Sequence, residues 1–215
     1  MTQAILFDLD GTLADTAPDL GNALNRQLTE RGHQALPISV IRKVASSGAR
    51  GLIGLGFNLT PEDAGYEALK DEFLNYYEAA LCQDTRLFDG MAELLDALDA
   101  RHLPWGIVTN KSARFTVPLM AQLDLSPRAA CVVSGDTTPH LKPHPASLLH
   151  ASEFLRVPPP ECIYVGDDHR DVQAALAAGM LPVVALFGYL GNGHDPKEWG
   201  AKHYIDTPLD LLKLL

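Results

Sequence analysis

Five short runs of apolar and β-branched residues punctuate the chain: AILFDL, PWGIVTN, ACVVSGD, CIYVGDD and LPVVALF. Within each run apolar side chains follow one another without alternation, as in strands buried on both faces. Between the runs the period becomes helical. In GMAELLDALDARH, Met91, Leu94, Leu95 and Leu98 share a face. In HPASLLHASEFLR, Pro145 lies near a first turn, and Leu148, Leu149 and Phe154 supply apolar contacts. HRDVQAALAAGM closes at Gly179, which suits a left-handed helix end, and DTPLDLLKLL offers Thr207 as N-cap with Pro208 following. Strands alternating with helices predict right-handed βαβ units and a doubly wound α/β fold around a parallel sheet.

The alternation breaks between about Thr16 and Arg86, where no strand pattern appears. TAPDLGNALNRQLTERG places Leu20, Leu24 and Leu28 at helical spacing and closes at Gly32. TPEDAGYEALKDEFLNYYEAALCQ opens on Thr60 and Pro61 and repeats Tyr66, Leu69, Phe73, Tyr76 and Ala80. ASSGARGLIGLGFN between them reads as a helix–loop–helix. Its glycines are out of register for GxGxxG, it lacks a GK[ST] ending and it follows no strand, which argues against nucleotide binding. The expected organisation is a core formed by residues 1–15 and 87–215, with an all-helical insertion at 16–86.

The 215 residues suffice for one large domain or a core with a small second module. A hydrophobic fraction of 47% with 20% charged residues is that of a soluble globular protein. Net charge is −10 and no Lys/Arg cluster interrupts it, so nucleic acid is not an expected partner; a small anion needs only a few local donors. The start, MTQAILFDLDG, lacks a basic region and a long apolar run, and no stretch is long enough to span a bilayer; a cytoplasmic location without membrane contact is expected. Cys82, Cys131 and Cys162 form no CxxC pair and read as reduced thiols.

Candidate chemistry collects at the carboxyl ends of the predicted strands, where open parallel sheets bind ligands. The first end carries Asp8 and Asp10, which point the same way in an extended segment, and Gly11 then lets the chain turn away. The second carries Thr109, Asn110 and Lys111. The third leads to Ser134, Gly135 and Asp136, followed by Lys142. The fourth carries Gly166, Asp167 and Asp168, with Asp171 one turn on. Carboxylates crowded on one edge require a cation, and an oxygen-only set suits Mg²⁺, which often binds substrate phosphate as well. On spacing alone these residues describe a metal-binding α/β protein.

DLDGTLADT, VTN, KPHP and GDDHRD stand in the order of the four motifs of the haloacid dehalogenase superfamily. The chain resembles that superfamily over essentially its whole length, and within it the phosphoglycolate phosphatase-like group, whose helical cap follows the first motif. The resemblance implies a Rossmann-like core and an Mg²⁺-dependent phosphomonoesterase. It makes Asp8 the nucleophile that forms an aspartyl-phosphate and Asp10 the general acid/base. Thr109 and the Asn110 backbone N–H would hold phosphoryl oxygens, and Lys142 would neutralise the phosphate and Asp8. Mg²⁺ would be held by Asp8, the Asp10 carbonyl and Asp167, with Asp168 and Asp171 supporting its water shell. Asp10 favours phosphate transfer from an alcohol, since dehalogenase relatives lack an acid there.

Substrate choice falls to residues further along. Ser47, Gly48 and Arg50 are candidates for a specificity loop, with Arg50 meeting a substrate carboxylate. FGY and WGA lean the resemblance toward a subgroup acting on N-acetylmuramate 6-phosphate, so that ester stands beside 2-phosphoglycolate as expected substrate. A phosphosugar mutase is less favoured, because GTL follows Asp10 where mutases commonly have GVI. A phosphonatase needs a Schiff-base lysine, and neither Lys43 nor Lys70 lies in a matching motif. A non-catalytic binding protein would be expected to lack Asp8, Asp10 or Lys142. His140 and His144 in HLKPH lack zinc-site spacing, although His144 could orient the Lys142 loop. His169 reads as exposed, Asp136 as a turn residue, Asp15 as the start of a hinge or a cap of the first inserted helix, and Trp199 as a buried anchor for its loop. The chain is expected to act as a monomer or homodimer.

Overall fold

The computed structural model describes residues 2–191, 193 and 195–215. Each apolar run forms a strand: β1 (Ala4–Phe7), β4 (Trp105–Val108), β5 (Cys131–Val133), β6 (Cys162–Gly166) and β7 (Leu181–Ala185). A further strand, β8 (His203–Ile205), completes a parallel six-stranded sheet of order β5-β4-β1-β6-β7-β8. The chain builds outward from β1 through β4 to β5, then returns to the other side of β1 at β6. That reversal opens a crevice at the carboxyl end of β1.

Strand periodicity assigns β1 to two layers. Ile5 and Phe7 join the core with α5 (Met91–Ala100) and α6 (Ala113–Gln122), while Ala4 and Leu6 pack in the layer of α7 (Ala146–Leu155) and α8 (His169–Ala178). α7 departs from expectation: Leu148 is buried, but Leu149 and Phe154 are exposed, because only one narrow stripe of this helix meets the sheet. Residues 208–214 form a 3₁₀ rather than an α-helix, with the Thr207 hydroxyl and Asp210 making a reciprocal capping box.

Between β1 and β4 the chain is largely helical: α1 (Ala17–Glu30), α2 (Ile38–Ala45), α3 (Gly48–Phe57) and α4 (Tyr66–Ala79). α1 packs on α2, α3 and α4. In α4 the buried stripe is Tyr66, Phe73 and Tyr77; Tyr76 lies at its edge and stacks against Arg26. Thr60 starts a turn closed by Asp63 and not the helix, whose first residue is Tyr66. Exit and return are tied together by a two-residue antiparallel pair, β2 (Ala14–Asp15) with β3 (Arg86–Leu87). Beside it the buried Asp19 carboxylate accepts from the Asp84 and Thr85 backbone N–H groups and from the Thr85 hydroxyl. A buried carboxylate is tolerated there because its oxygens are satisfied.

Candidate active site

The crevice at the end of β1 holds a cavity of about 340 Å³. Asp8 and Asp10 line it together with Thr109, Asn110, Lys142, Asp168 and Asp171, and Ser47 and Gly48 border it from the helical segment. Arg50 is exposed on α3 and is absent from the lining. The cations that do line the cavity are Lys111, Lys142 and Arg170. The lining from this segment runs from Ala45 through Ala49, and Arg50, the next residue of α3, is exposed outside it.

Asp8 remains joined to the sheet through its backbone N–H, which donates to Val165 O at 2.9 Å. Its Oδ1 accepts from Leu9 N at 2.8 Å and faces Lys142 Nζ at 2.9 Å. Lys142 Nζ also donates to Asp171 Oδ1 at 2.7 Å, the Tyr164 hydroxyl at 2.7 Å and Val108 O at 3.2 Å. The lysine is held from behind: Asn110 Nδ2 donates to Lys142 O at 3.0 Å, and Lys142 N donates to Asn110 Oδ1 at 2.9 Å. The Asn110 side chain therefore clamps the loop that carries Lys142.

Asp167 is fully buried. Thr12 Oγ1 donates to its Oδ1, and Tyr189 N to its Oδ2, each at 2.8 Å. Gly11, at φ +85°, and Gly188 lie so close to Asp167 that a β-carbon on either would collide with its side chain. Asp8, Asp167 and Asp171 offer oxygen atoms all within 4.8 Å of one another, close enough to share a cation. Asp168 turns aside: its oxygens accept from Arg170 Nε and Nη2 at 2.8 Å each, and from Arg170 N at the start of α8. Asp168 is the N-cap of this helix, and Asp171 at its third position completes a capping box, its Oδ2 accepting from Asp168 N at 3.0 Å.

Burial dominates the electrostatics. It pushes the Asp8 carboxyl up to about 7, against the pull of Lys142, and Asp171 adds to the rise. Burial also raises Asp167 well above the carboxylate range, reinforced by Asp8 and Asp171. For Lys142 burial acts downward, but Asp171 and Asp8 outweigh it and keep the ammonium charged. Burial favours a neutral Asp168 as well, and the Arg170 guanidinium reverses this and lowers it. Carboxylates that repel one another in a dry, oxygen-only set suit a hard divalent cation. The donor set therefore fits the metal that the motifs imply.

Asp10 is separated from this cluster by its partners. Its Oδ1 accepts from Thr16 Oγ1 at 2.6 Å and from Lys111 Nζ at 2.8 Å. Tyr189 connects the site to the first inserted helix, its hydroxyl accepting from Thr16 N and Ala17 N at 2.7 and 2.8 Å and donating to Asp15 Oδ1 at 3.0 Å. Asp15 also pairs with Arg42 at 2.8 Å. Asp136 Oδ1 accepts from Ala113 N at 2.9 Å, a turn-type contact at the start of α6. His144 Nδ1 accepts from Ala146 N within its own turn, and His169 stacks on the buried Trp199. Lys111 is visible as a strand-end cation, Tyr164 as the lone hydroxyl of an apolar run, and Tyr189 and Arg170 within the FGY and GDDHRD stretches, which give no indication of their contacts.

Comparison with known proteins agrees with this geometry. The family model described as haloacid dehalogenase-like hydrolase matches residues 5–185. An N-acetylmuramic acid 6-phosphate phosphatase of Pseudomonas putida is 41% identical over 213 residues, covering 99% of this chain and 96% of the relative. A phosphoglycolate phosphatase of Xanthomonas campestris is 42% identical over 209 residues, covering 97% and 94%. The crystal structure of a predicted phosphoglycolate phosphatase from Haemophilus somnus superposes with a TM-score of 0.88 at 25% identity, covering 99% of this chain and 97% of the other.

Proposed function

The chain belongs to the haloacid dehalogenase-like hydrolase family, and from that premise we propose that it is an Mg²⁺-dependent phosphomonoesterase of the phosphoglycolate phosphatase type. The observation that carries this reading is the placement of Asp8 at the end of β1. It faces Lys142 at 2.9 Å, beside Asp167, in a cavity open to a substrate.

In the first step an Asp8 oxygen attacks phosphorus, the bond from phosphorus to the ester oxygen breaks, and Asp10 gives its proton to the departing alcohol. In the second, Asp10 takes a proton from water, the water oxygen attacks phosphorus, and the Asp8 carboxylate departs. Thr109 and the Asn110 backbone N–H hold phosphoryl oxygens, and Lys142 offsets the charge of both Asp8 and the phosphoryl group. Asp8, the Asp10 carbonyl and Asp167 would hold Mg²⁺, with Asp171 ordering its waters and Asp168, paired with Arg170, fixing the start of α8 beside them. The metal would screen the repulsion between two anions. Residues 16–86 act as the cap that covers the site and excludes water.

Hydrolysis of 2-phosphoglycolate to glycolate and phosphate is the principal reading. Hydrolysis of N-acetylmuramate 6-phosphate is favoured by one specific observation: a two-carbon ester fills only part of the 340 Å³ cavity, whereas a monosaccharide phosphate would occupy it. The test is a kcat/KM ranking with Mg²⁺ over both esters and neutral sugar phosphates. A preference for either carboxylate-bearing ester is expected; no turnover of any ester overturns the proposal.

A further inference from the structure

Two side chains in the cavity have no part in that scheme. Lys111 directly follows Asn110 at the end of β4, and its side chain is only 8% exposed. Its Nζ donates to Asp10 Oδ1 at 2.8 Å and lies 4.7 Å from the centre of the Tyr77 ring. Tyr77 comes from α4, on the opposite side of the cavity from the sheet. It is 1% exposed, and its hydroxyl lies beside the Lys111 ammonium, which can only donate, so the hydroxyl hydrogen has no acceptor among the described residues. Both residues line the cavity that Asp8 and Asp10 line.

The other cations there are committed. Lys142 faces both Asp8 and Asp171, and Arg170 grips both oxygens of Asp168 while donating to Ser46 O at 2.7 Å. Among the described residues Lys111 has one ionic partner, Asp10, and that carboxylate is already served by Thr16 Oγ1. Leu20, Phe73 and Phe115 make the neighbouring wall apolar, which strengthens the attraction of an ammonium for an anion. A hydroxyl hydrogen without an acceptor in such a wall is costly, and a ligand oxygen accepting from it would remove the cost.

Resting on the phosphatase reading above, we infer that Lys111 and the Tyr77 hydroxyl form the subsite for a carboxylate carried by the leaving group. The proposed proton donor to the leaving oxygen, Asp10, touches Lys111, so a substituent next to that oxygen comes within reach of Nζ. Lys111 exchanges Asp10 for the substrate carboxylate, and the Tyr77 hydroxyl donates to the same carboxylate. A sheet residue and a helical-segment residue thus grip one group, which ties leaving-group choice to the seating of α4 over the site.

The test uses paired esters: 2-phosphoglycolate against ethylene glycol monophosphate, which replaces the carboxylate by a hydroxymethyl group, and N-acetylmuramate 6-phosphate against N-acetylglucosamine 6-phosphate, which lacks the lactyl group that carries the carboxylate. Lys111→Met is expected to lower kcat/KM for the carboxylate ester about 30-fold more than for its neutral partner, chiefly through KM. Tyr77→Phe should act in the same direction by roughly 3- to 10-fold, and Lys111→Arg should recover part of the preference. A proportional loss on both members of each pair means that Lys111 acts only through Asp10 and overturns the subsite. Wild-type protein that turns over none of the four esters overturns the phosphatase reading itself, and the subsite with it.

Discussion

Replacing Lys142 by methionine keeps the length of the side chain and removes its charge. The ammonium is 4% exposed at the residue level and contacts Asp8, Asp171, the Tyr164 hydroxyl and Val108 O. Its loss strands at least two carboxylates in a site that also holds Asp167. Deleting one member of a buried, hydrogen-bonded ion pair costs about 3–5 kcal/mol, which for a chain of this size is a fall in Tm of roughly 10 °C. The cost depends on pH with a definite sign. Asp8 already titrates near 7 because burial favours its neutral form, and without Lys142 it rises further. A carboxyl whose folded pKa is raised makes the folded state bind the extra proton, so its contribution to stability falls as pH rises through that window. Lys142→Met should therefore be more destabilised at pH 8 than at pH 5.5, measured by urea unfolding of metal-free protein. A variant within about 1 kcal/mol of wild type at pH 8, or a deficit independent of pH, would refute the assignment of Lys142 as the counter-charge of the carboxylate cluster.

Tyr189→Phe leaves Thr16 N and Ala17 N without their acceptor at the start of α1. A loss of about 2 kcal/mol or more is expected in denaturant melts, and a change under about 0.5 kcal/mol would show that this junction is solvated. Because Asp8 and Asp167 are both held above the usual carboxylate range by burial, binding of a divalent cation must displace protons. Affinity for Mg²⁺ should rise at least about tenfold per pH unit below 7, with proton release detectable by calorimetry in buffers of different ionisation enthalpy; a flat profile would contradict the burial argument.

Much of the fold is legible because parallel strands buried on both faces leave uninterrupted apolar runs, as in AILF and CIYVG. β8 escapes because His203 and Tyr204 are only half-buried at the sheet edge, so no such run forms. The β2–β3 pair escapes because two residues carry no period. Leu149 and Phe154 show the converse error: apolar residues need not be buried when a helix meets the sheet along a thin stripe. At the site, Asp8, Asp10 and Asp167 stand out because charge at the end of a core strand calls for a reason, and Lys142, nine residues past β5, through the motif resemblance. The sequence offers Arg50 as a cation for a substrate carboxylate, whereas the structure places Lys111 in the cavity lining and Arg50 outside it; which side chain of the 45–50 segment faces the cavity is a tertiary property. Tyr189 acts across 173 residues on Thr16, and local pattern holds no trace of that contact.

The central claim is that Asp8 itself carries the phosphoryl group. Acid-quenching the enzyme during turnover, reducing it with borohydride and sequencing the amino-terminal peptide tests it directly, since an aspartyl-phosphate is reduced to homoserine. Homoserine at position 8 in wild type, and neither that product nor turnover in Asp8→Asn, is the predicted result. Turnover in Asp8→Asn at the wild-type rate, or phosphoryl transfer that leaves Asp8 unmodified at every quench time, would contradict it.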